Sequence, residues 1–169
     1  KLRFERCSLE LHPEKTKIVY CKSGDRNEQY EGARKFEFLG YEFRTRRAVN
    51  KEQQNFGSFL PAISNESKKA ICASIRKTNI RNQSNLSLKE VAGKLNPKIK
   101  GWINYYRKFM PSVFDKFAVC INKTILKWYR RKYDNMRHRI KKSITNMEKL
   151  IEMNKTLFAH WQIGIIDVS

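Results

Sequence analysis

Residues 113–132, VFDKFAVCINKTILKWYRRK, carry the strongest fold signal in the chain. On a helical wheel of about 100° per residue, apolar side chains fall on one side of this segment and basic side chains on the other. The apolar stripe comprises Phe114, Phe117, Ala118, Ile121, Ile125 and Trp128. The opposite side carries Lys116, Lys123, Lys127 and Arg130. The pattern predicts a helix with a core face and, behind it, a basic ridge roughly 21 Å long.

The net charge is concentrated around this helix. The chain has 169 residues and a formal net charge of +20. Residues 61–142 contain 21 basic and 4 acidic residues, so they hold 17 of the 20 net charges. A run of lysines is often only a solvated surface, but no acidic residue at i+4 spacing balances the ridge. We therefore predict a binding surface for a polyanion, most simply a nucleic acid.

Several kinds of chemistry are absent from the sequence. No apolar run is long enough to span a membrane. The four cysteines form no CxxC pair, so we expect free buried thiols in a reducing compartment. The three histidines lack metal-ligand spacing, and His160 is predicted to be structural. The aspartates form no carboxylate pair for two-metal catalysis. The chain is thus predicted to be a binder or a non-catalytic part of an enzyme, with no metal site and no cofactor of its own.

The first third of the chain has the pattern of β-structure. Lys17–Cys21 is a β-branched run followed by a turn signal at Ser23–Asp25. Phe36–Phe43 is predicted to be a strand with a bulge or a close backbone approach at Leu39-Gly40. A polar loop is expected over residues 44–55, and a further strand over Phe56–Ile63.

From Ser64 onward the period becomes helical, so the fold class is predicted to be α+β. Ser64 is expected to cap a helix that ends near Lys77, and Ser87 with Glu90 forms a capping box. Asn96-Pro97 is expected to end that second helix and to begin the next. In this next helix the predicted core stripe is Ile99, Trp102, Ile103, Tyr106, Phe109 and Met110.

Five segments together resemble group II intron reverse transcriptases with maturase activity. Leu9–Ile18 (LELHPEKTKI) is similar to the segment that follows the catalytic Asp-Asp turn of those enzymes, and Phe36–Phe43 (FEFLGYEF) to their primer-grip hairpin. Leu95–Tyr106 (LNPKIKGWINYY) and Leu126–Tyr133 (LKWYRRKY) resemble the maturase-specific thumb, called domain X. Leu157–Trp161 is similar to the C-terminal end of many bacterial members, so the resemblance implies a location in the bacterial cytoplasm. Residues 134–156 have no evident counterpart.

The resemblance implies a division into two domains. Residues 1–62 would be the end of a reverse-transcriptase palm with a short antiparallel β region, and residues 63–169 an α-helical thumb. The missing fingers and the rest of the palm would belong to a longer parent protein. That parent would be an RNA-directed DNA polymerase using Mg²⁺, which this chain alone cannot be because it lacks the metal-binding aspartates.

The resemblance also implies site residues. The primer end would be positioned by Phe38, Leu39, Gly40 and Tyr41. Lys15 falls where a basic residue would act as general acid toward pyrophosphate, although a surface lysine before a strand explains it equally well.

The expected partners are structured intron RNA and template–primer. RNA contacts are predicted for Lys98, Lys100, Asn104, Tyr105, Arg107, Lys108, Lys116, Lys123, Lys127, Arg130, Arg131, Lys132, Arg137 and Arg139. Among these, Tyr105 lies at the margin of its apolar stripe and is the candidate for a base or sugar contact. Two other interpretations remain open: a non-enzymatic splicing factor derived from such a protein, and an unrelated basic RNA-binding protein.

Overall fold

A computed structural model describes residues 2–14, 16–21 and 31–168. The chain divides into two compact units, residues 1–61 and residues 62–169. A short β-sheet in the first part of the chain is followed by a helical region, which confirms the predicted α+β class. None of the described helices is long and apolar enough to cross a membrane.

The first unit is built around a three-stranded sheet. A short helix, α1 (Leu2–Arg6), precedes strands β1 (Lys35–Phe38), β2 (Tyr41–Val49) and β3 (Asn55–Ile63), which lie in the order β1-β2-β3. Strands β1 and β2 pair antiparallel with Phe36 opposite Phe43. The rings of this cross-strand pair stack with their centroids 4.7 Å apart. Such a pair fixes the hairpin register because a slip by one residue would separate the rings.

Leu39 and Gly40 form the turn of an antiparallel hairpin, as the family resemblance implied, whereas the bulge that the residue pattern predicted there is wrong. Their φ angles are +47° and +77°, and a two-residue turn with positive φ at both positions matches the right-handed twist of the strands that it joins. Glycine adopts this conformation freely, whereas a leucine rarely does. Because leucine is unusual at such a position, the residue types alone do not predict this turn.

Two other β predictions are also wrong. Lys17–Cys21 is not a strand within the described residues, because only Val19 forms a bridge, to Ala33, and Ile18 remains 85% exposed. The turn expected at residues 23–25 lies outside the described residues. The loop expected over residues 44–55 is strand as far as Val49.

Strand β2 tolerates its polar residues because they are paired. The carboxylate of Glu42 is buried and receives Lys35, Arg44 and Arg46 at 3.0–3.2 Å. Arg46 also donates to the carbonyl oxygen of Leu60 at 3.3 Å. Burial alone would raise the pKa of Glu42, but the hydrogen bond from Lys35 and the three neighbouring cations lower it overall. The carboxylate is therefore ionised, and the guanidinium of Arg46 is accommodated inside the sheet.

The second unit contains four helices. They are α2 (Asn65–Lys77), α3 (Leu88–Tyr106), α4 (Pro111–Lys132) and α5 (Ile140–Met153), with 3-10 turns at Ile80–Asn82 and Asp134–Met136. The side chain of Ser64 accepts from the backbone N–H of Ser67, which confirms the predicted cap of α2. Ser87 and Glu90 make both hydrogen bonds of the predicted capping box. Each cap supplies partners to backbone donors that a helix leaves unsatisfied.

Pro97 lies inside α3, so the predicted helix break at Asn96-Pro97 is wrong. The Asn96 side chain does not cap a helix. Its amide donates to the carbonyl oxygen of Leu157 at 2.9 Å, and its oxygen accepts from the N–H of Ala159 at 3.0 Å. Leu95 and Ile99 flank the proline and are both fully buried. This burial and the asparagine clamp hold the helix together across a residue that ordinarily disrupts it.

The core gathers around α4 as its apolar stripe predicted. Phe114, Ala118, Ile121, Ile125 and Trp128 are each at most 1% exposed. In the stripe predicted from Ile99, Trp102 packs against this core, but Phe109 is 53% exposed because α3 ends at Tyr106. All four cysteines are free, but Cys7 and Cys21 are exposed, so the prediction of buried thiols is wrong for these two.

A candidate nucleic-acid interface

A groove runs between α4 on one side and the end of α2 with the following 3-10 turn on the other. It consists of four neighbouring cavities of about 450, 340, 220 and 210 Å³, which share lining residues. We call it the basic groove, after its seven lining cations: Arg76, Arg81, Lys123, Lys127, Arg130, Arg131 and Arg137. Of the described residues that line it, only Asp134 bears a carboxylate.

The segment after α2 owes its position to contacts with α4. Ile80 is 1% exposed and anchors the 3-10 turn in the core. The indole N–H of Trp128 donates to the carbonyl oxygen of Gln83 at 2.9 Å. Lys132 donates to the carbonyl oxygens of Ser84 at 3.1 Å and Leu86 at 2.7 Å. These bonds satisfy backbone acceptors of an irregular segment, and they place Arg81 opposite α4.

Among the described residues, the groove cations form no ion pair with a carboxylate. The described residues contain ion pairs at Glu42, Glu66 and Asp115, and none of these involves a groove cation. Asp134 lines one cavity beside Arg81, Arg131 and Arg137 but forms no ion pair within 4.0 Å of any described cation. A concave surface lined by one sign of charge concentrates counter-ions and steers polyanions toward it.

The two cysteines of the second unit line the groove. Cys72 on α2 and Cys120 on α4 both border the 340 Å³ cavity. Burial, together with the adjacent thiol of Cys72, raises the pKa of Cys120 to about 12. The Cys120 thiol therefore stays protonated at neutral pH and acts as neither nucleophile nor anion.

The structure brings some of the predicted RNA-binding residues together. Lys123, Lys127, Arg130, Arg131 and Arg137 all line the basic groove. Lys116 is exposed two turns before Lys123 on α4, outside the groove. Arg139 is exposed at the start of α5.

The other predicted contacts lie on or just after α3, apart from the groove lining. Lys100, Asn104, Tyr105 and Lys108 are exposed there. Lys98 is also exposed and donates to the hydroxyl of Ser74 at 3.2 Å.

Two predicted contacts have other partners inside the protein. Arg107 forms a two-point ion pair with Asp115 at 3.0 and 3.4 Å, between the end of α3 and the start of α4. Lys132 has the two carbonyl bonds already described and lies 5.7 Å from the centre of the Trp128 ring. Both cations thus have structural roles that the charge pattern alone did not reveal.

Sequence reasoning missed the other wall of the groove. Arg76 and Arg81 were not predicted, nor were Asn79 and Asn82 between and beside them. The available signal was Ile80, a lone apolar residue in the polar stretch TNIRNQS, since such a residue commonly anchors a loop on a core. Its burial forces the neighbouring polar side chains outward.

The residues predicted for primer contact lie at the tip of the β1–β2 hairpin. Phe38 and Leu39 are 60% and 67% exposed, whereas Tyr41 is buried. Lys15, the predicted general acid, lies outside the described residues. No group of three or more His, Cys, Asp or Glu residues that could hold a metal ion is found among the residues described.

The fold and the groove define a basic helical domain suited to a polyanionic ligand. Residues 68–147 match the family model of the group II intron, maturase-specific domain. This match covers a little under half of the chain and includes every cation of the basic groove. The resemblance to group II intron maturases is thereby confirmed over residues 68–147. Neither a curated protein nor a solved structure matches the chain.

The match also corrects one interpretation and confirms the coarse function that the resemblance implied, a part in group II intron splicing. It extends over residues 134–147, for which no counterpart had been expected, and so takes in the second 3-10 turn and the first half of α5. A maturase-specific domain connects the chain with the splicing of group II introns.

Proposed function

We propose that this domain binds structured intron RNA through the basic groove and thereby assists intron splicing. The observation that carries the proposal is the set of seven groove cations with no ion-pair partner among the described residues. Phosphate neutralisation by such residues releases counter-ions and supplies most of the affinity for a nucleic-acid backbone. The groove's asparagines, Asn79 and Asn82, add groups that can hydrogen-bond with unpaired nucleotides, and Tyr105, on α3 apart from the groove, offers a ring on which a base can stack.

Charge reversal tests this proposal directly. Lys123→Glu with Lys127→Glu places two negative charges in the groove, and we expect at least about a hundredfold loss of affinity for the intron RNA. The matched control is Lys141→Glu with Lys142→Glu, two exposed lysines on α5 that do not line the groove. Equal losses from both pairs would show that only the overall charge matters. Unchanged affinity in the groove variant would refute the proposal.

The first unit is proposed to be the end of a reverse-transcriptase palm, with the domain boundary after residue 62. The exposed hairpin tip at Phe38 and Leu39 supports a contact with the primer strand in a complete RNA-directed DNA polymerase that uses Mg²⁺. The sequence resemblance alone supports two further proposals. Lys15 would act as the general acid in catalysis, and the protein would be located in the bacterial cytoplasm. Activity of the longer parent protein with Phe38→Ala and Leu39→Ala tests the primer contact: extension of an annealed primer should fall, while RNA binding by the helical domain stays unchanged.

A further inference from the structure

We infer that one end of the basic groove receives more than two closely spaced phosphates from a sharply folded RNA backbone. The domain would then select a bend or junction in the RNA over a uniform helix. The inference rests on the proposed function and specifies which RNA shape the groove prefers. It depends on a cavity of about 220 Å³, the arginine pocket, which is lined by Arg81, Lys127, Arg130, Arg131 and Arg137.

The arginine pocket carries more positive charge than the phosphates of a regular RNA helix can neutralise within the same space. All five lining residues are cationic. A cavity of this volume is roughly 7 Å across, so it faces only about two phosphates along one strand of a duplex with one charge per about 3 Å of axis. A duplex also curves away on both sides of the contact. Two backbone segments that converge at a bend supply more negative charge within the same space and match five cations better.

Two of the five cations of the arginine pocket are held by hydrogen bonds inside the protein. Arg130 donates from Nη2 to the carbonyl oxygen of Arg137 at 2.5 Å, which ties the end of α4 to the segment that follows it. Arg131 donates from Nη1 to the side-chain oxygen of Asn82 on the opposite wall. Among the residues described, the buried Nε of Arg130 has no hydrogen-bond partner. Folding therefore already holds the like charges of Arg130 and Arg131 together, and a dense anion would relieve their repulsion without further ordering of these two side chains.

Two other cations of the arginine pocket, Arg81 and Arg137, can be replaced without removing these hydrogen bonds. Arg81 and Arg137 are exposed, and in the described part of the chain neither side chain makes an ion pair or hydrogen bond. The carbonyl oxygen of Arg137, which does accept a bond, is unaffected by a change of side chain. Arg76 and Lys123 offer a matched pair at the other end of the groove, where the lining is shared with apolar residues and thiols.

The test compares three RNAs with equal numbers of nucleotides. One is a straight duplex with 5′-hydroxyl ends, one a duplex bent by an internal bulge, and one a straight duplex with a 5′-triphosphate. The proteins are the parent chain, R81Q/R137Q and R76Q/K123Q, each shown by circular dichroism to be folded. We expect the parent to bind the bent RNA about tenfold more tightly than the straight 5′-hydroxyl duplex. R81Q/R137Q should lose that preference, whereas R76Q/K123Q should weaken both complexes and keep it.

The outcomes separate this inference from the proposed function. Equal weakening of bent and straight RNA by R81Q/R137Q would overturn the inference and leave groove binding intact. A preference of the parent for the triphosphate duplex over the bent RNA, dependent on Arg81 and Arg137, would also overturn it, since a strand end would then supply the phosphates. If both double variants bound RNA with the affinity of the parent, the proposed function itself would be refuted.

Discussion

The side-chain oxygen of Asn122 on α4 lies 2.7 Å from Nε2 of His160, and both residues are fully buried. The same oxygen accepts from the indole N–H of Trp161 at 2.8 Å. The Asn122 amide donates to the carbonyl oxygens of Ile165 at 3.1 Å and Asp167 at 2.8 Å. One asparagine thus binds the C-terminal segment to the helix that also forms one wall of the basic groove.

Loss of this asparagine should destabilise the helical unit strongly. Asn122→Ala leaves buried donors and acceptors unpaired at once, so we expect the free energy of unfolding to fall by about 3 kcal/mol. Urea denaturation followed by tryptophan fluorescence measures the change. Asn135→Ala is the control because Asn135 is exposed, and it should change stability by less than about 0.5 kcal/mol. A loss below about 1 kcal/mol for Asn122→Ala would mean that the segment is held by apolar contacts instead.

Stability should fall in mild acid because of His160. Burial lowers its pKa to about 3, so the imidazole stays neutral in the folded protein while the unfolded chain takes up a proton below about pH 6.5. The contribution of the neutral His160 imidazole to the free energy of unfolding is complete above pH 6.5. It is lost as the pH falls toward 3, at up to about 1.4 kcal/mol per pH unit.

The histidine contribution is isolated by comparison between variants. Urea unfolding from pH 7 to 4 should show a shallower decline for His160→Gln than for the parent, whereas His138→Gln, at an exposed position, should follow the parent. Parallel curves for all three proteins would contradict the assignment. The comparison is necessary because carboxylates such as Glu42, whose pKa is lowered, also weaken the fold in acid.

Lys132 and Lys127 should respond differently to neutralisation although they lie five residues apart on α4. Lys132→Met removes bonds to two carbonyl oxygens and the contact with the Trp128 ring, so it should cost about 1–2 kcal/mol of stability and little direct RNA affinity. Lys127→Met should do the reverse. Thermal melting and RNA titration well below the melting temperature distinguish the two effects. A normal melting curve with lost RNA affinity for Lys132→Met would show that the lysine contacts RNA after all.

Local signals predicted much of the helical fold. Ser64, Ser87 and Glu90 act within one helical turn, and the stripe of α4 depends on periodicity alone, so all of these are readable from the sequence. Pro97 was misjudged because the atoms that stabilise α3 around it belong to Leu157 and Ala159, some sixty residues away.

Only one of the two walls of the candidate site was predicted, for the same reason. The basic residues of α4 follow from a helical wheel. The opposite wall, with Arg76 and Arg81, depends on the bond from Trp128 to Gln83 across 45 residues, which no local pattern encodes. Conversely, Lys132 and Arg107 looked like free cations because their partners become neighbours only in the folded chain.

The salt dependence of RNA binding tests the central claim most directly. The logarithm of the binding constant should fall linearly with the logarithm of the salt concentration, with a slope near −5 if the seven groove cations neutralise phosphates. Neutralisation by R76Q/K123Q/K127Q should reduce the slope by about 2, while K89Q/K141Q/K142Q, at three exposed lysines outside the groove, should leave it unchanged. Equal slopes for the parent and the groove variant would contradict the assignment of the basic groove as the RNA-binding surface.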